Sequence, residues 1–301
     1  MADTLSKVIG SVCRRANQPV PASYVSSSEK GALQWLDLAI EVGEDIRARF
    51  DYPTLKQQYT FDTVSGQKRY PLPGNFHRLL LDTQYDQDNQ WALIGPASDH
   101  SIAATENELI TNDSYYKFRV VGAPYQKVDE TSFDESDAFI ELSPTPSDAR
   151  TLVFEYITNY WVFPVQWVAS TAYTSGDLVS ANGYIYKATS TGTANTTRPS
   201  GESTTAGETG VSFQLWRNSY KDPVSDNDIV LFDRHIMTLG IYSKWLQVKG
   251  YDYTQVRVDY DRALKNDVAR FQGKKSINGD MRETLGLPRI TNGSLSTGWP
   301  S

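Results

Sequence analysis

The sequence contains few of the residues from which catalytic and metal sites are usually built. It has one cysteine, Cys13, and three histidines in 301 residues. A single cysteine excludes an internal disulfide and a zinc site made from several thiolates. None of the histidines (His77, His100 and His235) stands at the spacing of a helical zinc-binding motif. We therefore predict no metal site.

The sequence also lacks the motifs that bind phosphates or present a serine nucleophile. It has no Gly-x-x-x-x-Gly-Lys-Ser/Thr, Gly-x-Gly-x-x-Gly or Gly-x-Ser-x-Gly string. The acidic cluster Asp82, Asp86 and Asp88 lacks the spacing of a calcium loop and is predicted to be a solvated loop. We predict no catalytic residue, no cofactor and no enzymatic activity. Because a glycosidase can use two carboxylates far apart in sequence, an uncharacterised hydrolase remains an alternative.

Positive charge is scarce, and long apolar runs are missing. The chain has 29 Lys and Arg against 36 Asp and Glu, a formal net charge of -7. This balance disfavours nonspecific DNA binding, which needs clustered cations, although DNA can pass beside an acidic surface without adhering to it. No apolar run approaches the roughly 18 residues that span a bilayer. The N-terminus has no signal-peptide core, so we expect synthesis in a reducing cytoplasm and no membrane partner.

Helical periodicity is present toward both ends of the chain. Apolar residues recur at helical spacing near 28–50, 229–249 and 253–272. The acidic residues from Asp226 to Asp228 are predicted to cap the second of these helices. The first two have apolar residues on two faces, which indicates neighbours on both sides.

Strand patterns fill the region between about residues 57 and 160. Tyr59–Thr63 and Lys68–Leu72 alternate on either side of Ser65-Gly66, which predicts a hairpin. The strongest strand candidate is Thr151–Ile157. The predicted fold class is therefore α+β, with a bundle of long helices and an antiparallel β part.

A small aromatic-rich segment interrupts this pattern at about 164–217. Asn182-Gly183 predicts a type I′ turn between two short strands, and Trp167 and Trp216 bracket the segment. The pattern resembles the small chitin-binding-type modules of chitinases. That resemblance implies a carbohydrate-binding-like β module inserted into a larger domain made of 1–163 and 218–301.

Aromatic rings in this segment are the candidates for stacking on sugar rings. The glycan candidates are Trp167, Tyr173, Tyr184 and Tyr186. The sugar-stacking aromatic pair of such modules is not evident, since Lys187–Thr191 stands in its place. A structural role is favoured over a working glycan site, and we expect Trp167 and at least one of the tyrosines to lie in a core.

The final stretch, 273–301, has neither helical nor strand periodicity. Its composition is typical either of a disordered tail or of an extended arm that orders on a partner. Isolated apolar residues in a polar chain favour the arm. Its candidate anchors are Leu285, Leu287, Ile290 and Trp299.

The order of elements, together with the turn Tyr70-Pro-Leu-Pro-Gly-Asn-Phe76, resembles the head-to-tail adaptor (connector, head-completion) proteins of tailed phages, especially short-tailed ones. The resemblance implies a homo-oligomeric ring of about 12 copies below the portal. Such a ring seals the packaged head, joins it to tail or nozzle proteins and lets DNA pass.

The same resemblance implies that the 273–301 arm engages the portal. It places the protein at the head–tail interface of the virion, and in the host cytoplasm during assembly. A glycan-binding virion or surface protein acting through 164–217 is the alternative.

Overall fold

The computed structural model describes residues 3–106, 116–122, 135–196, 198–200, 206–207, 211–217, 220 and 222–272. Over these residues the fold is mixed α+β, with five α-helices and several antiparallel sheets. No helix among them is both long enough and apolar enough to cross a bilayer. The helices are α1 (Leu5–Arg15), α2 (Lys30–Arg49), α3 (Asp99–Glu106), α4 (Arg234–Lys249) and α5 (Thr254–Gln272).

The strands are mostly short, and many lie between α2 and α4. In chain order they are β1 (Lys56–Asp62), β2 (Arg69–Pro73), β3 (Phe76–Leu79), β4 (Tyr85–Asp86), β5 (Trp91–Ala92), β6 (Lys117–Gly122), β7 (Glu135–Ser143), β8 (Thr151–Thr158), β9 (Val162–Phe163), β10 (Ala172–Tyr173), β11 (Leu178–Ala181), β12 (Tyr184–Ala188), β13 (Gly192–Thr193), β14 (Ala206–Gly207), β15 (Ser212–Trp216) and β16 (Ile229–Val230).

Helix α4 lies at the centre of the helical part and contacts α1, α2 and α5. Two glycines allow the close approach of neighbouring elements. A Cβ atom on Gly240 of α4 would lie 2.6 Å from Val42 Cγ1, and one on Gly43 of α2 would lie 2.5 Å from the Trp161 ring. These distances are too short for a side chain, so the packing of α2 depends on glycine at both positions.

Helix α4 begins later than its sequence pattern predicts. The expected start at Ile229 is wrong, because Ile229 and Val230 form β16 and pair with β9. The carboxylate of Asp228, expected to be a cap, instead accepts a hydrogen bond from Tyr220 Oη at 2.9 Å. The N-cap is Asp233, whose side chain accepts a hydrogen bond from a first-turn backbone N–H at 2.8 Å.

The predicted hairpin at residues 59–72 is also wrong. Strand β1 pairs with β8, whereas β2 pairs with β7, so the two strands belong to different sheets. Their side chains meet across a shared core, where the ring centroids of Phe61 and Tyr70 lie 4.9 Å apart. Tyr70 is buried in this shared core and Phe61 is partly buried against it, so the two strands contribute to one core although they pair in different sheets.

The β part contains two antiparallel sheets and one helix that its pattern did not predict. One sheet has the order β1-β8-β4-β5 with β3 also paired to β8, and the other has the order β2-β7-β6. Helix α3 contacts β7. Lys117 Nζ of β6 donates to Thr105 Oγ1 of α3 at 2.8 Å, which attaches the helix to this sheet.

The described residues of 164–217 form a four-stranded antiparallel sheet, β11-β12-β15-β14, and a short β10-β13 pair. The predicted turn is confirmed, since Asn182 and Gly183 have φ angles of 51° and 84° between the paired strands β11 and β12. Tyr186 of β12 lies in an apolar cluster made by this segment. Its neighbour Ile185 packs instead into the main core, because successive strand residues point to opposite faces.

Candidate functional site

The described side chains include few that could form a metal or nucleophilic centre. In the part of the chain that the structure describes, no group of three His, Cys, Asp or Glu side chains could hold a metal ion. The Cys13 thiol is buried, with its Sγ 3.9 Å from Tyr24 Oη, and burial raises its pKa. A buried thiol with a raised pKa is a weak nucleophile, so Cys13 acts as a packing residue.

The acidic cluster lies at a turn in which Asp82 and Asp88 are exposed, as expected of a solvated loop, whereas Asp86 departs from that prediction. Asp86 is buried, and its Oδ1 accepts hydrogen bonds from the backbone N–H groups of Asp88 and Asn89 at 2.9 and 3.1 Å. Arg150 Nη1 lies 3.5 Å from its other carboxylate oxygen. The carboxylate therefore closes the turn between β4 and β5.

Glu141 on β7 connects the three strands of its sheet. Its side chain is 1% exposed and accepts hydrogen bonds from Arg69 of β2 and Arg119 of β6, each at 2.9 Å. Lys68 Nζ lies 3.0 Å away. Burial alone would raise the pKa of Glu141, but the hydrogen bonds from Lys68, Arg119 and Arg69 outweigh it and lower the pKa to about 2. The carboxylate is a structural anion at neutral pH.

The four glycan candidates differ in exposure. Trp167 and Tyr186 are buried, so neither ring has a face open to a sugar. Tyr173 and Tyr184 are partly exposed. The Tyr173 ring packs edge-on against Phe213 at 5.5 Å, and its Oη accepts a hydrogen bond from Val168 N at 2.8 Å. Tyr173 is therefore held rigidly, which suits either a structural or a binding role.

Tyr173 also lines a cavity of about 450 Å³ between the 164–217 segment and the loop before β16. The lining is mainly apolar and includes Val165, Leu178 and Val224. Tyr184, the other partly exposed candidate, is not among the residues that line it. The cavity is shaped by residues on both sides of the junction, and sequence reasoning did not find it because these residues lie far apart along the chain.

A buried polar network joins the 164–217 segment to the rest of the protein. Gln57 Nε2 of β1 donates to the Gly183 carbonyl at 3.2 Å, and its Oε1 accepts from Asn75 Nδ2 at 3.0 Å. Tyr156 Oη donates to Asn75 Oδ1 at 2.8 Å, and Arg217 stacks over the Tyr59 ring at 5.2 Å. The network fixes the β11–β12 turn against β1. The sequence analysis did not predict this network, because its members are single polar residues within strand patterns.

Aromatic rings form a column at the end of α4. Trp35 of α2 stacks on Trp245 of α4 with 5.6 Å between ring centroids, and Trp245 contacts Tyr251 at 6.0 Å. Tyr251, Val248 of α4 and Leu33 of α2 are exposed. Exposed apolar side chains of this kind can be covered by another protein.

The predicted anchors of the C-terminal arm, Leu285, Leu287, Ile290 and Trp299, lie outside the described residues. The arm thus remains a prediction from sequence.

The candidate site among the described residues is a set of exposed helical and junction surfaces, which are suited to protein contacts.

Comparison with known proteins gives one result that agrees with these surfaces. A family model described as SU10 adaptor protein matches residues 3–190, well over half of the chain. The matched range begins just before α1 and ends inside the 164–217 segment. No curated protein matches the chain.

Proposed function

This chain belongs to the SU10 adaptor protein family, and we propose that it forms the head-to-tail ring that closes the portal of a tailed phage. Membership of this family indicates a structural adaptor of the virion that interacts with portal and tail proteins. The match over residues 3–190 is the observation that carries this proposal. The proposed ring lies below the portal, has about 12 copies, assembles in the host cytoplasm and seals the packaged head.

Two features of the chain support a ring through which DNA passes. Its net charge of -7 disfavours adhesion of a polyanion to the channel wall. The helical part exposes apolar and charged residues along α2 and α5. A subunit in a ring needs two different contact surfaces, one for each neighbour.

We infer that the 273–301 arm is the main contact with the portal. Ordering an extended segment costs conformational entropy, so its apolar anchors must supply the binding energy. Several arms in one ring act together, which multiplies a weak single contact. The full-length chain is expected to co-sediment with purified portal rings, and a chain lacking 276–301 is expected to fold normally but remain in the supernatant.

The two parts of this proposal fail in different ways. Absence of co-sedimentation by the full-length chain contradicts the adaptor function itself. Co-sedimentation of the truncated chain contradicts only the role of the arm. A thermal unfolding transition shared by both proteins shows that the truncation has not disturbed the described fold.

We also infer that 164–217 is a module inserted into the adaptor domain 1–163 and 218–301. Its own apolar cluster supports this division. Glycan binding by the module is a second candidate function, favoured by the partly exposed rings of Tyr173 and Tyr184. Titration with chitin oligomers tests it. Saturable binding that Tyr184→Ala abolishes without loss of folding would establish a glycan site, whereas no binding leaves the module structural.

A further inference from the structure

The solvent-facing side of α2 has an acidic stripe, defined as Leu33, Asp37, Glu41, Glu44 and Ala48. The spacing of three or four residues places these positions on one face of the helix. Leu33 is 40% exposed, although it is a large apolar residue. Asp37 is exposed and makes no hydrogen bond or ion pair with any described residue. Glu41 contacts Lys244 of α4 within the same chain.

The solvent-facing side of α5 has a basic stripe, defined as Val258, Arg262, Lys265 and Ala269. Val258 is 46% exposed, and the Arg262 side chain is 67% exposed with its nearest carboxylate, Asp259, at 3.8 Å. Lys265 is exposed and has no ion-pair partner within the described ranges. The chain thus presents a cationic helix face although its net charge is negative.

The two stripes match in order and in spacing. Each begins with an exposed aliphatic residue, continues with a charge four residues later, and has a further charge seven or eight residues from the start. If the two faces lie side by side in parallel, Leu33 meets Val258, Asp37 meets Arg262 and Glu41 meets Lys265. Both charged contacts among these three pairs join opposite charges.

The two helices already run parallel within one chain, which suits a rotational assembly. Helix α4 is antiparallel to α2, since Lys249 Nζ donates to Gln34 Oε1 at 3.3 Å while Gly240 packs on Val42. Helix α4 ends at its C-cap Gly250, and α5 then runs back along it, with Tyr260 of α5 packed against Gly240. Helix α5 is therefore antiparallel to α4 and parallel to α2. A rotation about an axis along the helices preserves these directions, so α2 of one copy and α5 of the next also run parallel.

We propose that the acidic stripe on α2 of one copy binds the basic stripe on α5 of the next copy. This inference rests on the proposed ring and names its contact. Two different surfaces on one chain make a heterologous interface, which closes into a ring when the rotation between copies allows it. Exposed ion pairs are individually weak and are screened by salt, so assembly through these stripes weakens as ionic strength rises.

Charge reversal on the full-length chain tests the contact. Asp37→Lys and Arg262→Glu should each weaken self-association about tenfold or more, because each places like charges opposite one another. Sedimentation velocity over a range of concentrations, with and without portal rings, measures the effect. Arg270→Glu is the matched control, since it makes the same change on the same helix at an exposed position off the stripe.

Combining the two charge reversals distinguishes loss of this specific contact from a general electrostatic repulsion between copies. The double variant Asp37→Lys/Arg262→Glu should regain assembly. An equal mixture of the two single variants should also assemble, because each interface can then join opposite charges. All variants should keep the thermal transition of the parent protein, since the substituted side chains are exposed.

The inference is overturned if both single variants assemble like the parent, or if the recombined charges fail to restore assembly while Arg270→Glu behaves normally. Those outcomes leave the ring itself intact. If the parent chain forms no higher assembly either alone or with portal rings, both the ring and this contact are wrong.

Discussion

Buried carboxylates decide much of the local structure at the scale of single residues. Asp86 closes a turn, Asp228 fixes the loop before β16 and Glu141 connects three strands. Each of them forms short-range or cross-strand hydrogen bonds that satisfy a charge removed from water. These three carboxylates are therefore structural parts of the fold.

Replacing Glu141 with Gln should lower the free energy of unfolding at pH 7 by on the order of 2 kcal/mol, because hydrogen bonds to a charged group are lost from three partly exposed cations. The pKa of Glu141 is lowered by folding, from 4.5 to about 2. Its contribution is therefore fully present above pH 4.5 and is lost as the pH falls through about 2. Urea unfolding at several pH values should show the gap between parent and variant narrowing over that interval.

Asp99 provides the control for this prediction, because it contacts the same Arg119 but its side chain is 93% exposed. Asp99→Asn should leave the free energy of unfolding nearly unchanged. Equal effects of the two substitutions, or a gap that stays constant with pH, would show that Glu141 does not act through its buried charge.

Residue-scale prediction succeeded where the signal was local. Asn182-Gly183 gave the correct turn because the positive φ angles of that turn select these residue types. Asp228 was wrongly predicted as a helix cap because its sequence position suits capping, while its hydrogen bond to Tyr220 depends on tertiary structure. When several donors lie within reach of a carboxylate, residue spacing alone does not show which of them it accepts a hydrogen bond from.

At the scale of elements, two of the three long helices were placed closely by their sequence pattern, whereas the start of α4 and the pairing of β1 and β2 were predicted wrongly. Periodicity located α2 and α5 to within about two residues, because an amphipathic pattern needs only local sequence. Strand β1 was assigned to the wrong partner, since pairing with β8 joins residues that are about ninety to one hundred positions apart. Its alternation identified it as a strand, but alternation does not identify the partner strand.

The 164–217 segment gives an element-scale prediction. Replacing 165–217 with a short Gly/Ser linker should leave one cooperative unfolding transition, because the two parts of the adaptor domain are paired directly through β9 and β16. The midpoint should fall, since Ile185 leaves the main core and buried aliphatic side chains contribute about 2–5 kcal/mol on truncation to alanine.

Differential scanning calorimetry of the linker variant measures this outcome, with Ile185→Ala in the full-length chain as its control. Both variants should show a reduced midpoint with cooperativity retained. Loss of the transition in the linker variant would mean that the segment and the adaptor domain fold as one unit.

At the scale of the whole molecule, the proposed function depends on the surfaces that a single chain presents to other subunits. The chain has helices with charged faces of opposite sign, an apolar column at the end of α4 and a segment held firmly at the junction by Gln57 and Asn75. The element order was sufficient to indicate the adaptor family, which the match over residues 3–190 shows. The contact surfaces needed the folded structure, because they combine residues from helices separated by about two hundred positions.

Native mass spectrometry of the full-length chain, alone and mixed with purified portal rings, tests the central claim most directly. The account predicts a closed assembly of many subunits on the portal, at a fixed ratio of about one adaptor copy per portal subunit. A chain that stays monomeric in both samples, or that binds the portal without a fixed stoichiometry, would contradict a ring-forming adaptor.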